Sequence, residues 1–132
     1  MTPPNWILRE ADEATVQRLA QLIALKILPG DMIALHGDLG AGKSAFARAL
    51  VRALLGDAGA EVPSPTFSIV QTYETPRLTL AHLDLYRLNC EDEIRELGIH
   101  DLLADSAIAV EWPERAPSLM ATNRPRIIGY QS

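Results

Sequence analysis

The stretch HGDLGAGKS, residues 36–44, constrains the fold of this chain more than any other part of the sequence. It fits the pattern G-x-x-x-x-G-K-[ST], with Gly37, Gly42, Lys43 and Ser44 in the fixed positions. The apolar run at 32–35 that precedes it is typical of a buried strand. A helix-forming segment at 44–55 follows it. The pattern therefore lies between a strand and the start of a helix, which is the structural context expected of a phosphate-binding loop.

A loop with so few side chains lets backbone N–H groups converge on a bound phosphate, and the next helix adds the positive end of its dipole. In this pattern Lys43 supplies a charge for the outer phosphates, and the Ser44 hydroxyl is placed to bind Mg²⁺. The alternative is a plain glycine turn with a solvated Lys43. The loop predicts a site for a nucleoside triphosphate with Mg²⁺, formed by Gly37, Asp38, Leu39, Gly40, Ala41, Gly42, Lys43 and Ser44.

The rest of the chain alternates between helical and extended patterns. Apolar spacing predicts a helix at 12–28, and a second helix is expected at 89–97, between Asn89 as its cap and Gly98 as its stop. Strands are predicted at 67–73, 78–88 and 107–110, and the stretch 126–130 is expected to form at most a short edge strand. This mixture, with an apolar strand feeding a helix, predicts an α/β sandwich.

Length and composition limit the possible classes of protein. The chain has 132 residues, enough for one domain, and 48% of them are hydrophobic, which favours a folded core. A net charge of −5 argues against a bare nucleic-acid-binding module. The single Cys90 excludes an internal disulfide, and neither a signal peptide nor a membrane span is evident. We therefore expect a cytoplasmic protein with no membrane partner.

Three residues outside the loop are candidates for the chemistry of hydrolysis, which needs an acid near the metal and a group that places water. Glu111 closes the apolar strand at 107–110 and is either a metal-side carboxylate or a solvated acid at a strand end. Asp84 is predicted to lie mid-strand. Its carboxylate either takes part in the chemistry of the site or is paired with Arg87 or His82. Thr66 follows two prolines that stiffen its loop, and an ordinary strand-initiating threonine is the alternative.

The nucleotide is predicted to be ATP. A phosphate loop does not select a base, but the guanine-selecting pattern Asn-Lys-x-Asp is absent from this sequence, as is a downstream Asp-x-x-Gly switch. The loop also differs from the glycine-rich loop of protein kinases, which disfavours that chemistry.

Five motifs in order give the chain a specific resemblance. GDLGAGKS, VPSPTFSIVQTYE, HLDLYRL, ELGIHDLL and VEWPERAP resemble the bacterial TsaE (YjeE-type) family, and together they cover most of residues 15–117. That family comprises small P-loop ATPases of tRNA threonylcarbamoyladenosine (t6A) biosynthesis. The resemblance implies a P-loop NTPase-like three-layer sandwich with a small mixed β-sheet. It departs at the tail NRPRIIGYQS, so the single domain at 1–132 is expected to have an incomplete or altered C-terminal end.

The resemblance also implies roles for individual residues. Lys43 and Ser44 would bind the phosphates and Mg²⁺, and Glu111 would be the second acid beside the metal. Thr66 would lie near the γ-phosphate, Asp84 would serve hydrolysis or its coupling, and Thr15 would lie near the adenine. The implied ATPase is weak alone and acts on the TsaB–TsaD heterodimer, so tRNA would be contacted indirectly through these partners.

Two other functions use the same loop. A small-molecule kinase would transfer the phosphoryl group to an acceptor, but such enzymes generally need an arginine-rich lid, and none is evident between Gly98 and Glu111. A nucleotide-gated binding module would bind ATP without productive hydrolysis.

Overall fold

The computed structural model describes residues 5–9, 13–37, 43–62, 70–88, 90, 92–96, 98–123 and 126–131. The strands in these ranges are β1 Asn5–Arg9, β2 Met32–His36, β3 Val70–Glu74, β4 Thr79–Asp84, β5 Ser106–Glu111 and β6 Arg126–Gln131. The α-helices are α1 Glu13–Lys26, α2 Lys43–Leu55, α3 Asp92–Glu96, α4 Ile99–Asp105 and α5 Pro117–Asn123, and a 3-10 helix covers Pro113–Arg115.

The described strands form one mixed sheet in the order β1-β6-β2-β5-β4-β3. Only β3 runs antiparallel to its neighbour, β4, and every other pair in this sheet is parallel. The carboxyl ends of β2, β4 and β5 therefore meet at one edge of the sheet. This edge, called the carboxyl edge below, is where open α/β sheets bind their ligands.

Helices cover both faces of the sheet, so the predicted three-layer α/β sandwich is confirmed. One core cluster packs α1 and α2 against alternate residues of the strands, such as Ile33, Leu35 and Leu80. The second cluster packs α3, α4 and α5 against the opposite set, such as Met32 and Ala81. The alternation follows from the period of two along each strand.

The two long helices form where their apolar spacing predicts. In α1 the buried positions Val16, Ala20, Ile23 and Ala24 share one face, and the helix ends before the turn at Pro29. In α2 the last turn is closed by a Schellman motif, in which Gly56 N–H donates to Ala53 O and Asp57 N–H donates to Arg52 O.

Three predictions for the strands need correction. The stretch at 126–131 lies inside the sheet between β1 and β2, not at an edge, because the unpredicted strand Asn5–Arg9 pairs along its other side. Strand β4 ends at Asp84 rather than continuing to Leu88, because the backbone turns there and the Asp84 carboxylate accepts the Tyr86 N–H. Asp84 is therefore at a strand end, not mid-strand.

Smaller elements agree only in part with the sequence predictions. The predicted helix at 89–97 is the shorter α3, and Asn89 and Leu97 lie outside the described residues. Gly98 then adopts a left-handed φ of 67° and starts α4, which was not predicted. The predicted strand at 67–73 corresponds to β3, with 67–69 outside the described residues.

Candidate functional site

The carboxyl edge brings two of the candidate residues together. Asp84 is the last residue of β4 and Glu111 the last residue of β5, and they are direct partners in the parallel register. On the other side of β5, Glu111 is the register partner of Leu35 in the parallel strand β2. Because β2 leads into the glycine-rich stretch and α2 begins at Lys43, both carboxylates end strands beside the strand that carries the phosphate-loop motif.

Gly37 marks where the chain leaves β2. Its φ of 147° is one that residues with a side chain rarely adopt, which explains glycine at the first fixed position of the motif. Lys43 and Ser44 are the first residues of α2, as the motif predicts for a loop that opens a helix. Asp38, Leu39, Gly40, Ala41 and Gly42 lie outside the described residues, as does Thr66.

Glu111 is a buried carboxylate, with 2% of the residue exposed. Its Oε2 lies 2.6 Å from the His82 Nε2, and His82 is equally buried at 1%. This overturns the alternative of a solvated acid at a strand end. A buried carboxylate without hydrogen bonds is costly, and the contact with His82 lowers that cost.

Asp84 has a different environment from Glu111, although the two are neighbours in register. It is half-buried, and its Oδ1 accepts the Tyr86 N–H at 3.0 Å. The expected alternative of a pair between Asp84 and His82 is wrong, because the His82 Nε2 points to Glu111 and the Nδ1 has no hydrogen-bond partner among the described residues.

His82 belongs to the site through its contact with Glu111, whereas the sequence suggested it only as a partner of Asp84. The signal was present, because His82 lies two residues before Asp84 and a strand places residues i and i+2 on the same face. The spacing along β4 does not reveal the register of β4 against β5. That register brings His82 beside Glu111.

The chain segments after the two acids meet at the surface. The Tyr86 and Trp112 ring centroids are 5.0 Å apart, and the Arg115 guanidinium lies 5.9 Å from the Tyr86 ring centroid. Trp112 has a left-handed φ of 59°, an unusual conformation for a bulky residue. Its half-buried side chain packs against the core cluster on the α3–α5 face.

One further contact lies at the carboxyl edge. The His36 Nδ1 lies 3.4 Å from the Glu114 Oε2, which links the end of β2 to the 3-10 helix. Thr15 lies in the exposed first turn of α1, away from the paired acids in sequence and on a separate element. Its predicted place near the adenine stays a prediction.

No cluster of three or more His, Cys, Asp or Glu side chains that could hold a metal by themselves occurs in the described part of the chain. Mg²⁺ usually takes one or two carboxylates together with phosphate oxygens and water, so a complete protein cage is not needed. A buried carboxylate at the end of β5, beside the strand that carries the phosphate-loop motif, fits that donor set.

A cavity of about 460 Å³ lies between α1 and α2. It is lined mainly by α1 and by the second half of α2, with Arg52 and Arg77 among its walls. Because α2 begins at the carboxyl edge and these walls come from its other end, the cavity is separate from the carboxylates.

Comparison with protein-family models shows the family of this chain. The model described as threonylcarbamoyl adenosine biosynthesis protein TsaE matches residues 10–131, almost the whole chain. The chain belongs to the TsaE family.

Curated relatives agree with the TsaE assignment. Proteins named "tRNA threonylcarbamoyladenosine biosynthesis protein TsaE" are 42% identical over 78% of this chain in Rickettsia felis and 33% identical over 91% of it in Bacillus subtilis. The matched region spans 60% of the Rickettsia felis protein and 74% of the Bacillus subtilis protein. The chain thus spans only about three-fifths of the length of some TsaE relatives.

A solved structure supports the same TsaE fold. The crystal structure of Bacillus subtilis YdiB superposes with a TM-score of 0.65 at 28% identity, covering 90% of this chain and 72% of that one. The fold is therefore an α/β fold of the P-loop type. Among the helices that the structure describes, none is long and apolar enough to cross a membrane.

Proposed function

We propose that this chain binds ATP with Mg²⁺ and hydrolyses it in support of t6A biosynthesis, by acting on a TsaB–TsaD complex. The observation that carries the proposal is the pairing of Asp84 and Glu111 at the ends of two strands, with Glu111 next to β2 and its phosphate-loop motif. Membership in the TsaE family supplies the pathway.

The nucleotide would be held chiefly by its phosphates. Backbone N–H groups of residues 37–44 and the N-terminal end of α2 would face them, because a helix N-terminus attracts anions. Lys43 would add a point charge near the outer phosphates, and Thr15 would lie near the adenine. The left-handed φ of Gly37 supports a loop in which the backbone approaches its ligand closely.

Mg²⁺ would be held by the Ser44 hydroxyl and by Glu111, either directly or through water. When bound, the metal neutralises charge on the phosphate oxygens. Glu111 would contribute a carboxylate that stays in place because it is buried and hydrogen-bonded to His82.

Asp84 and Thr66 would act on the attacking water or on the γ-phosphate. Asp84 is suited to this because it is half-buried and is held by the Tyr86 N–H at the edge beside Glu111. In phosphoryl transfer the protein contributes mostly position and charge, so a carboxylate fixed in one place is what the reaction requires.

The partners would supply the contact with tRNA. A net charge of −5 does not favour binding of a polyanion by this chain alone. The aromatic surface of Tyr86 and Trp112 lies directly after the two acids, so a partner that covers it would be able to sense the state of the site.

Equilibrium binding of ATP tests the first step of this proposal. Titration of the protein with a fluorescent ATP analogue and Mg²⁺ should give saturable binding that ATP displaces better than GTP. Lys43→Ala should weaken this binding at least about tenfold, the usual scale for loss of a charged contact to phosphate. Unchanged affinity in Lys43→Ala would remove the phosphate-loop assignment.

A further inference from the structure

We propose that His82 is a positioning residue that holds the Glu111 carboxylate in one orientation through an Nε2–H donated to Oε2. The inference rests on the proposed function, since it assigns Glu111 to the Mg²⁺ side of the site. It goes beyond that proposal by naming the residue that fixes the acid.

The register of the sheet explains how the two side chains meet. His82 is paired with Ala109 and Asp84 with Glu111, so His82 lies one pleat before the acid on the same face. Ala109 is small, so the imidazole can lean along the strand toward the carboxyl edge. Its Nε2 reaches the Glu111 Oε2 at 2.6 Å, the distance of a short, charge-assisted hydrogen bond.

The hydrogen-bond partners assign the tautomer. The His82 Nδ1 is buried and has no partner among the described residues, whereas Nε2 faces a carboxylate oxygen. A proton on Nδ1 would leave a buried N–H without an acceptor and would direct the Nε2 lone pair at Oε2. A ring with its proton on Nε2 avoids both penalties, because an unused acceptor is tolerated more readily than an unused donor.

Such a contact acts on the metal side without touching the nucleotide. Fixing one carboxylate oxygen removes rotation about the last side-chain bond of Glu111, so its other oxygen keeps a defined direction. Groups that orient a metal-side ligand in this way typically change metal affinity or activity by about 10- to 100-fold when they are removed.

Two variants, compared with the unsubstituted protein, test the role of His82. His82→Leu fills a similar volume without a hydrogen-bond donor, and His82→Gln places an amide N–H near the position of Nε2. We expect the Mg²⁺ concentration for half-maximal ATP hydrolysis to rise about 10- to 100-fold in His82→Leu. His82→Gln should return it to within a few-fold of the unsubstituted protein, while the KM for ATP at saturating Mg²⁺ changes little in either variant.

A second measurement does not depend on activity. Long-range ¹H–¹⁵N NMR of the nucleotide-free protein should show His82 protonated on Nε2, and Glu111→Ala should alter those signals. A ring without a proton on Nε2, or an unchanged His82 signal in Glu111→Ala, would overturn the inference even if His82→Leu failed to fold. It would also be overturned if folded His82→Gln were as impaired as His82→Leu. Absence of any ATP hydrolysis in the unsubstituted protein would instead reject the proposed function and leave the NMR result as the test of His82.

Discussion

Asp84 and Glu111 are direct partners at the carboxyl ends of β4 and β5, yet only Glu111 is fully buried. Two acids side by side at the same edge can therefore take different roles. Glu111 is fixed by His82 below the surface, whereas Asp84 is half-buried and is held by the backbone of the following turn. This difference leads to separate predictions for the two carboxylates.

Glu111→Gln should lower the rate of ATP hydrolysis by about 100-fold or more, the scale of losing one contact made to developing charge. Glutamine keeps an oxygen that can accept the His82 N–H, so the melting temperature should change little. Phosphate release and thermal unfolding of the same sample check both statements. Near-normal turnover in a folded Glu111→Gln protein would rule out a role on the metal side.

Asp84→Asn should abolish hydrolysis stimulated by the partners while leaving ATP affinity within a few-fold of the unsubstituted protein. The asparagine oxygen can still accept the Tyr86 N–H, so the turn after β4 should be preserved. Turnover with TsaB–TsaD and equilibrium binding of the ATP analogue separate the two effects. If stimulated turnover persisted, Asp84 would have no part in hydrolysis or in its coupling.

Gly56→Ala should reduce the free energy of unfolding by about 1 kcal/mol, because residue 56 has a φ of 71° that alanine adopts only with strain. An added Cβ would meet no atom within 4 Å, so the loss would come from the backbone conformation alone. Gly59→Ala is the matched control, since its Cβ would make an ordinary 3.6 Å contact and no left-handed φ is involved. Denaturant unfolding that showed equal stability for both variants would contradict this reading of the Schellman motif.

Arg77→Gln should destabilise the fold by about 1 kcal/mol, because the Arg77 guanidinium donates hydrogen bonds to the carbonyl oxygens of Ala24 and Ile27 at the end of α1. The carbonyl groups of the last turn of an α-helix have no N–H donor within the helix, so they need a partner from elsewhere. Arg18→Gln, an exposed arginine within α1, removes the same charge without this contact and should change stability much less. Chemical denaturation of the two variants makes the comparison, and an equal loss would show that charge alone matters.

The two long helices and the buried strand between them could be predicted because their signals are local. The spacing of Val16, Ala20 and Ile23 gave α1, and the apolar run 32–35 followed by the glycine pattern gave β2 and α2. The position of residues 126–131 in the sheet could not be predicted, because it depends on pairing with Asn5–Arg9 at the other end of the chain. The periodicity of a segment indicates a strand but not the distant segment with which that strand pairs.

The candidate site was predictable to a similar degree. Glu111 and Asp84 stood out as acids beside apolar strand residues, and the register places them together. The contact between His82 and Glu111 requires that register, so histidine spacing alone could not reveal it. The left-handed φ of Trp112 is likewise set by the chain after β5 rather than by any preference of tryptophan.

Phosphate release from ATP, measured with and without the TsaB–TsaD complex of the same organism, tests directly whether these partners control hydrolysis by this chain. We expect slow release by the chain alone, a large rise when the partners are added, and loss of that rise in Asp84→Asn. ATP binding without any rise on addition of the partners would contradict the proposed role, as would ATP consumption that transfers phosphate to another molecule.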